Sequence, residues 1–173
     1  MSGLESQVLG KVEDFVTIKG AVRIGESTVV RSGSYIEGPV IIGADCEIGP
    51  NCHIRPHTTI ADGCQVGAFV GVKNCIIMRG TKLPHHNYTG DCVIGEGCNF
   101  GAGTKVANLR LDKKNVFVSG IDTGRRKLGA IIGDNVETGI NASINVGCMI
   151  GNNTHIGPGA LASGVILPGA KVF

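Results

Sequence analysis

The sequence predicts an all-β fold, a parallel β-helix with two interruptions, from three observations. Apolar residues recur at every sixth position from Ile18: Ile24, Val30, Ile36, Ile42, Ile48, Ile54, Ile60, Val66, Val72 and Met78 follow in step. Glycine often comes next, as at Gly25, Gly43, Gly49 and Gly67. Aromatic residues are scarce, with five Phe, two Tyr and no Trp among 173 residues that include 28 Gly.

A period of six decides against both common elements. An α-helix of 3.6 residues per turn does not bring residues six apart onto one face, and a half-buried strand would need apolar residues at the intervening even positions. A solenoid meets the pattern: each hexad forms one short side of a coil, three hexads close a triangle, and coils stack about 4.8 Å apart like paired strands. Stacking then buries a continuous core that no single coil could form. Glycine beside the apolar position suits a corner that needs a left-handed backbone or close approach. With so few aromatics, that core has to be built from small and branched aliphatic side chains.

The frame returns at Ile94, Phe100 and Val106, and again at Ile132, Thr138, Ile144, Ile150, Ile156 and Ala162. The cysteines keep the same step. Cys46, Cys52, Cys64, Cys98 and Cys148 lie four residues after a frame position, and Cys92 does so when the frame restarts at Tyr88; Cys75 alone stands off the slot. Val70, Val136, Ala142 and Ala160 fill that slot elsewhere, so the thiols read as small core hydrophobes. No Cys-x-x-Cys pair argues for metal or redox chemistry.

A net charge of +2 sets up no global field toward nucleic acid or membrane, and no run of about 18 apolar residues is present. The opening Met1 to Ser6 lacks a basic-then-apolar leader, so the expected compartment is the cytoplasm, with the seven cysteines reduced. Residues 1–15 read as an N-terminal lead or linker and 16–173 as the solenoid domain.

Interruptions are where a solenoid carries function, because extra residues must leave the coil. The first lies between Met78 and Ile94, sixteen residues where eighteen are expected, and contains Arg79 to Tyr88. The second runs from about Leu109 to Ile131. It sets Arg110, Lys113, Lys114, Arg125, Arg126 and Lys127 against Asp112 and Asp122, an anion-attracting surface or a solvated loop. His85, in the first, is a candidate general base near neutral pH or a surface histidine. His53, His57, His86 and His155 read as surface or packing residues. Zinc would need three histidines converging on an open site, and no such ligand spacing is apparent.

Several segments resemble one family. They are Ile48-Gly49-Pro50 with Ile54-Arg55-Pro56, Val70-Gly71-Val72-Lys73, Pro84-His85-His86-Asn87-Tyr88-Thr89-Gly90-Asp91, Asn99-Phe100-Gly101-Ala102-Gly103-Thr104 and Ala107-Asn108-Leu109-Arg110. In order and spacing they resemble the glucosamine-1-phosphate N-acetyltransferase domain of the bifunctional enzymes that make UDP-N-acetylglucosamine, over roughly residues 16–165. Lys-Leu-Pro-His, Asn-Leu-Arg-Leu-Asp and Gly-Arg-Arg-Lys-Leu-Gly are more similar to the archaeal branch than to the bacterial one. The resemblance implies a left-handed coil, a homotrimer with its site between subunits, and acetyl transfer from acetyl-CoA to the 2-amine of an amino-sugar 1-phosphate, with no metal. It implies His85 as general base, Arg55 and Lys73 as phosphate holders, and Tyr88, Asn99 and Asn108 as sugar contacts. Ala102 matches a backbone amide beside the thioester, and Thr104 falls in the same cofactor-binding segment. Lys127 and Lys114 compete for one basic position.

Three departures stand out. Gly71 occupies the place of a bacterial Glu, which opens the choice between glucosamine and galactosamine. No nucleotidyltransferase segment precedes the repeats, so the chain reads as a stand-alone enzyme or an excised domain, and the tail that completes CoA binding in bacterial forms is not found. Two other readings stay open: an acyltransferase for another amino sugar, and a non-catalytic trimerisation module of a nucleotidyltransferase.

Overall fold

The structure, a computed structural model, describes residues 3–173. The chain winds as a left-handed parallel β-helix of triangular section, as the resemblance implied. Side A stacks nine strands from Gln7–Val8 to Val165–Ile166, side B nine from Lys11–Val12 to Lys171–Val172, and side C eight from Thr17–Lys19 to Leu161–Ala162. All neighbours within the three sides pair in parallel. An antiparallel pair, Phe117–Val118 with Ile121–Asp122, sits inside the second interruption. Among the described residues no helix is long and apolar enough to cross a membrane.

The frame positions point inward. On side A, Ile24, Ile42, Ile60, Ile77, Ile94, Ile132 and Ile150 stack in register and are at most 3% exposed. Burying each such side chain contributes roughly 1.5–3 kcal/mol, so the column is a major source of stability. The bore admits little bulk: Phe100 is buried, whereas Phe15, Phe69, Phe117 and Phe173 stay on the surface. Corner glycines allow the stack to close. A Cβ on Gly25 would lie 2.5 Å from the Gly43 carbonyl carbon of the next coil, closer than any real side chain approaches.

Coil length departs from 18 at both ends, where Val8 pairs with Ile24 and Ile150 with Ile166, each 16 residues on, and in the middle of the stack. The stretch from Met78 to Ile94 holds no bulge. Instead, Ile60 pairs with Ile77 and Ile77 with Ile94, giving two successive coils of 17 residues, one short of the regular 18. The missing residue comes each time from the corner between sides C and A, where Val72 to Ile77 and Thr89 to Ile94 span five steps instead of six. Met78 is therefore an outward residue, 38% exposed, and Ile77 takes the core position. Likewise Thr89, not Tyr88, points inward. Cys75 and Cys92 occupy equivalent places in the two shortened corners, and all seven thiols are free and buried. Cys75 thus belongs to the core like the others.

The lead expected over residues 1–15 enters the coil. Gln7–Val8 pairs with Arg23–Ile24, and Lys11–Val12 pairs with Val29–Val30. Met1 and Ser2 lie outside the described residues.

The shortened corner makes a direct prediction. Ile77→Ala should destabilise the protein by about 2–5 kcal/mol and Met78→Ala by no more than about 0.5 kcal/mol, read by denaturant unfolding. Equal costs would mean that the frame runs through Met78 after all. The buried thiols make a second: the native protein should react slowly with a thiol dye, and the unfolded protein should release seven equivalents.

Candidate active site

Side C presents its outward residues in rows, one residue per coil. Register places Tyr35, His53, Gly71, Tyr88 and Lys105 in one row. Two residues further along, Lys73 pairs with Gly90, and Arg55, whose amide donates to the Val72 carbonyl at 2.8 Å, continues the same register one coil below Lys73. Arg55 and Lys73 therefore stand on adjacent coils, side by side, as a pair of cations. The Tyr88 ring lies over Gly71: its Cδ2 is 3.3 Å from where a Cβ on Gly71 would sit. The volume that a larger residue at position 71 would need is held by this ring. Gly90 is required for a similar reason, since a Cβ there would meet Asn108 Nδ2 at 2.6 Å and the Tyr88 hydroxyl at 2.8 Å.

At the end of that row the chain turns into the shortened corner, and Asp91 sits in the turn. It is 8% exposed and has φ of 56°, a left-handed conformation that Asp tolerates better than most residues. Its carboxylate accepts from Asn74 Nδ2 at 2.7 Å and from Asn108 Nδ2 at 2.5 Å, and it faces Lys73 Nζ at 3.4 Å. Asn74, Asp91 and Asn108 thus form a ladder along the helix axis. A cleft of about 400 Å³ opens beside it, lined among others by His57, Asn74, Asp91, Arg125 and Lys127. Burial, and secondarily the Asp91 carboxylate, push the Tyr88 phenol above its ordinary pKa, while Arg55 and Asn108 pull the other way.

The opposite edge of side C carries His85, which ends the side B strand Lys82–His85 and is exposed. The corner that presents it is held from inside by Asn87, only 2% exposed. Asn87 Oδ1 accepts from the His85 amide at 3.3 Å, and its Nδ2 donates to the Gly101 carbonyl at 2.8 Å. The His85 carbonyl accepts from the Gly103 amide, so Ala102 lies one coil above His85. Phe69 and His86, both with positive φ, stack their rings at 5.1 Å on the same corner.

The residues expected from sequence divide into two groups. Arg55, Lys73, Tyr88, Asn108 and Lys127 meet around the Asp91 corner. His85 and Ala102 occupy the other edge of side C, and Asn99 points outward from side B, stacked between Lys82 and Glu137. Thr104 is a correction. It is fully buried, with its hydroxyl donating to the Gly101 carbonyl at 2.9 Å and 2.7 Å from that of Thr138, so its side chain faces the core and not a cofactor. Of the two competing lysines, Lys127 lines the cleft, while Lys114 is exposed beside Asp112, which accepts its backbone amide. Asn74, Asn87 and Asp91 were not singled out from sequence.

The second interruption leaves and re-enters the coil at this same corner. Leu128 donates its amide to the Asn108 carbonyl, Leu109 bridges Lys127, and the Gly129 amide returns to the Asp91 carbonyl. The insertion then lies back on the coil, with Val116 buried and close to Gly147. Arg110 is tied to Asp112 by a two-pronged contact, leaving Arg125, Arg126 and Lys127 exposed around the neck.

Comparison with known proteins agrees with this architecture. The chain is 53% identical over 162 residues to a bifunctional sugar-1-phosphate nucleotidylyltransferase/acetyltransferase of Sulfurisphaera tokodaii, aligning 91% of this chain with 40% of that protein. It is 46% identical over 162 residues to the bifunctional protein GlmU of Methanocaldococcus jannaschii, again 91% against 40%. The Listeria monocytogenes protein of the same name is 33% identical over 164 residues, covering 86% of this chain and 33% of its own length. The chain therefore spans about 40% of the length of the first two relatives. Among solved structures, the UDP-N-acetylglucosamine acyltransferase from Campylobacter jejuni shares the fold, with a TM-score of 0.50 at 15% identity over 91% of this chain and 69% of that one. A family model described as the GMPPB C-terminal domain matches residues 36–139, more than half of the sequence, and the chain belongs to that family.

Proposed function

We propose that this chain is an N-acetyltransferase that moves an acetyl group from acetyl-CoA to the 2-amine of an amino-sugar 1-phosphate. The observation that carries the proposal is the side-by-side placement of Arg55 and Lys73 beside Tyr88 and Asn108, on the same face of the coil that His85 borders. A planar guanidinium and a compact ammonium suit a phosphate dianion, which accepts several charge-assisted hydrogen bonds. Tyr88 and Asn108 then offer donors and acceptors for sugar hydroxyls, and Asn99 a further polar contact from side B.

The chemistry needs a neutral amine, because an ammonium has no lone pair with which to attack a thioester. His85 Nε2 or Nδ1 removes the proton as the amine nitrogen bonds to the acetyl carbonyl carbon. The carbonyl oxygen gains negative charge and is stabilised by the Ala102 amide, which has no acceptor among the described residues. The carbon–sulfur bond then breaks, the amide forms, and the proton held on His85 passes to the departing CoA thiolate. The exposed cations around the insertion neck, Lys127 among them, supply charge for the anionic substrates. The two edges of side C are brought to one substrate by a homotrimer, in which flat faces meet around a threefold axis and one copy's corner completes its neighbour's site. The names of the relatives support the reaction class, and the compartment proposed for the enzyme is the cytoplasm.

A second acceptor is favoured by Gly71. With the Tyr88 ring in the place of a carboxylate, side C has no acid at that position to select one sugar epimer, so galactosamine 1-phosphate belongs in the substrate panel.

The decisive experiment measures CoA release from acetyl-CoA with glucosamine 1-phosphate by chromatography, since the protein's own thiols would react with a dye. Turnover is expected, and His85→Ala should keep the thermal midpoint and oligomeric state while losing about 10²–10⁴-fold in kcat. Unchanged kcat in that variant would remove His85 as the base. Absence of turnover with both sugar phosphates would overturn the proposed reaction.

A further inference from the structure

We infer that Asp91 is the positioning residue of the sugar-phosphate site, holding Lys73 and Asn108 in place from the corner behind them; the inference rests on the acetyltransferase reading above. The carboxylate shows only a small edge to the cleft, and its oxygens already hold partners. It is 8% exposed, and its two oxygens are engaged by side chains of the coil below and the coil above. Oδ1 accepts from Asn74 Nδ2 at 2.7 Å, Oδ2 accepts from Asn108 Nδ2, and both oxygens lie 3.4 Å from Lys73 Nζ. The backbone of the same residue is fixed as well, donating to the Lys73 carbonyl at 2.8 Å and accepting from the Gly129 amide at 2.8 Å.

This arrangement does three things at once. Lys73 is drawn to the Asp91 end of its row by a long contact, weak enough for an incoming phosphate to share the ammonium. The Asn108 amide is oriented with its NH₂ toward Asp91, which leaves its carbonyl oxygen for a sugar hydroxyl. Asn108 also closes the neck of the insertion through its carbonyl, so the carboxylate links the substrate face to the loop that carries Lys127. A buried carboxylate among Lys73, Arg125 and Lys127 further offsets the mutual repulsion of those cations.

The test compares the full chain with Asp91→Asn, which keeps the shape and removes the charge. Loss of positioning should raise KM for glucosamine 1-phosphate at least tenfold and leave KM for acetyl-CoA within twofold. Asn74→Gly, which preserves the left-handed backbone at Asn74 and deletes one partner of Asp91, should shift the same KM in the same direction by a smaller factor, and it serves if Asp91→Asn fails to fold. A spectroscopic readout does not depend on turnover. The protein has two tyrosines and no tryptophan, so in a Tyr35→Phe background the phenolate absorbance reports Tyr88 alone. Asp91→Asn should move that titration to lower pH, because a neighbouring negative charge that opposes ionisation is gone. An unchanged sugar-phosphate KM in both variants, or KM values for both substrates rising together, would overturn the inference. So would an unmoved Tyr88 titration. If the wild-type chain turns over no amino-sugar phosphate, the reaction reading fails, and the titration still decides whether Asp91 acts on the Tyr88 environment.

Discussion

Everything in this molecule depends on register between stacked coils. A parallel β-helix is held by hydrogen bonds from each coil to the next, and the inward column tolerates no change of phase. A slip of one residue would turn every inward isoleucine outward. Irregularity is therefore affordable only where a corner can absorb it. Here the two one-residue deletions and the long insertion all fall on the corner between sides C and A. The strands before and after keep their pairing, and the corner alone changes shape. A cleft forms at this altered corner, flanked by paired strands.

The buried carboxylate at that corner follows from the same constraint. Isolated buried charge is costly, and a paired and hydrogen-bonded one is tolerated. Stacking supplies the partners, because whatever occupies equivalent places on adjacent coils is brought to hydrogen-bond distance. Asn74, Asp91 and Asn108 are spaced 17 residues apart, the length of the shortened coil. One carboxylate can thus be satisfied by the coil below and the coil above, and its order reaches the root of the insertion. On a regular 18-residue coil these three residues would fall out of line.

Much of the architecture was legible because periodicity is a property of many residues at once. The eleven-position frame from Ile18 determined the solenoid, and the later frame from Ile132 to Ala162 is inward in every case. The single-residue deletion was not legible because Ile76, Ile77 and Met78 are all apolar, and a count in sixes accepts Met78 as readily as Ile77. The same slip hid the place of Cys75 and assigned Tyr88 to the frame, although Tyr88 is needed outside. Asp91 went unremarked since a charged residue in a turn usually faces water. Its signal was present in the 17-residue spacing to two asparagines, readable only once the coil length is known. Thr104 was misjudged for the opposite reason: it sits within a recognisable motif, and the motif is conspicuous for its corner, whose third residue after Gly101 turns into the core.

The placement of chemistry along side C gives the fold its use as a scaffold. His85 and Asp91 stand at the two ends of one short side, six residues apart, and the strand Tyr88–Gly90 between them is paired on both neighbours. Each end is locked from behind by a buried polar side chain, Asn87 under His85 and Asp91 under Lys73 and Asn108. Reacting groups must be held to a fraction of an ångström, and side chains on a paired strand with fixed supports lose little entropy when substrate arrives. The insertion adds a set of exposed cations, Arg125, Arg126 and Lys127, on a neck closed at Asn108. In the proposed reaction the proton-transfer and phosphate-holding groups would stand on paired strand and its braced corners, with further charge on the insertion, because the coil offers either paired strand or corner and nothing between.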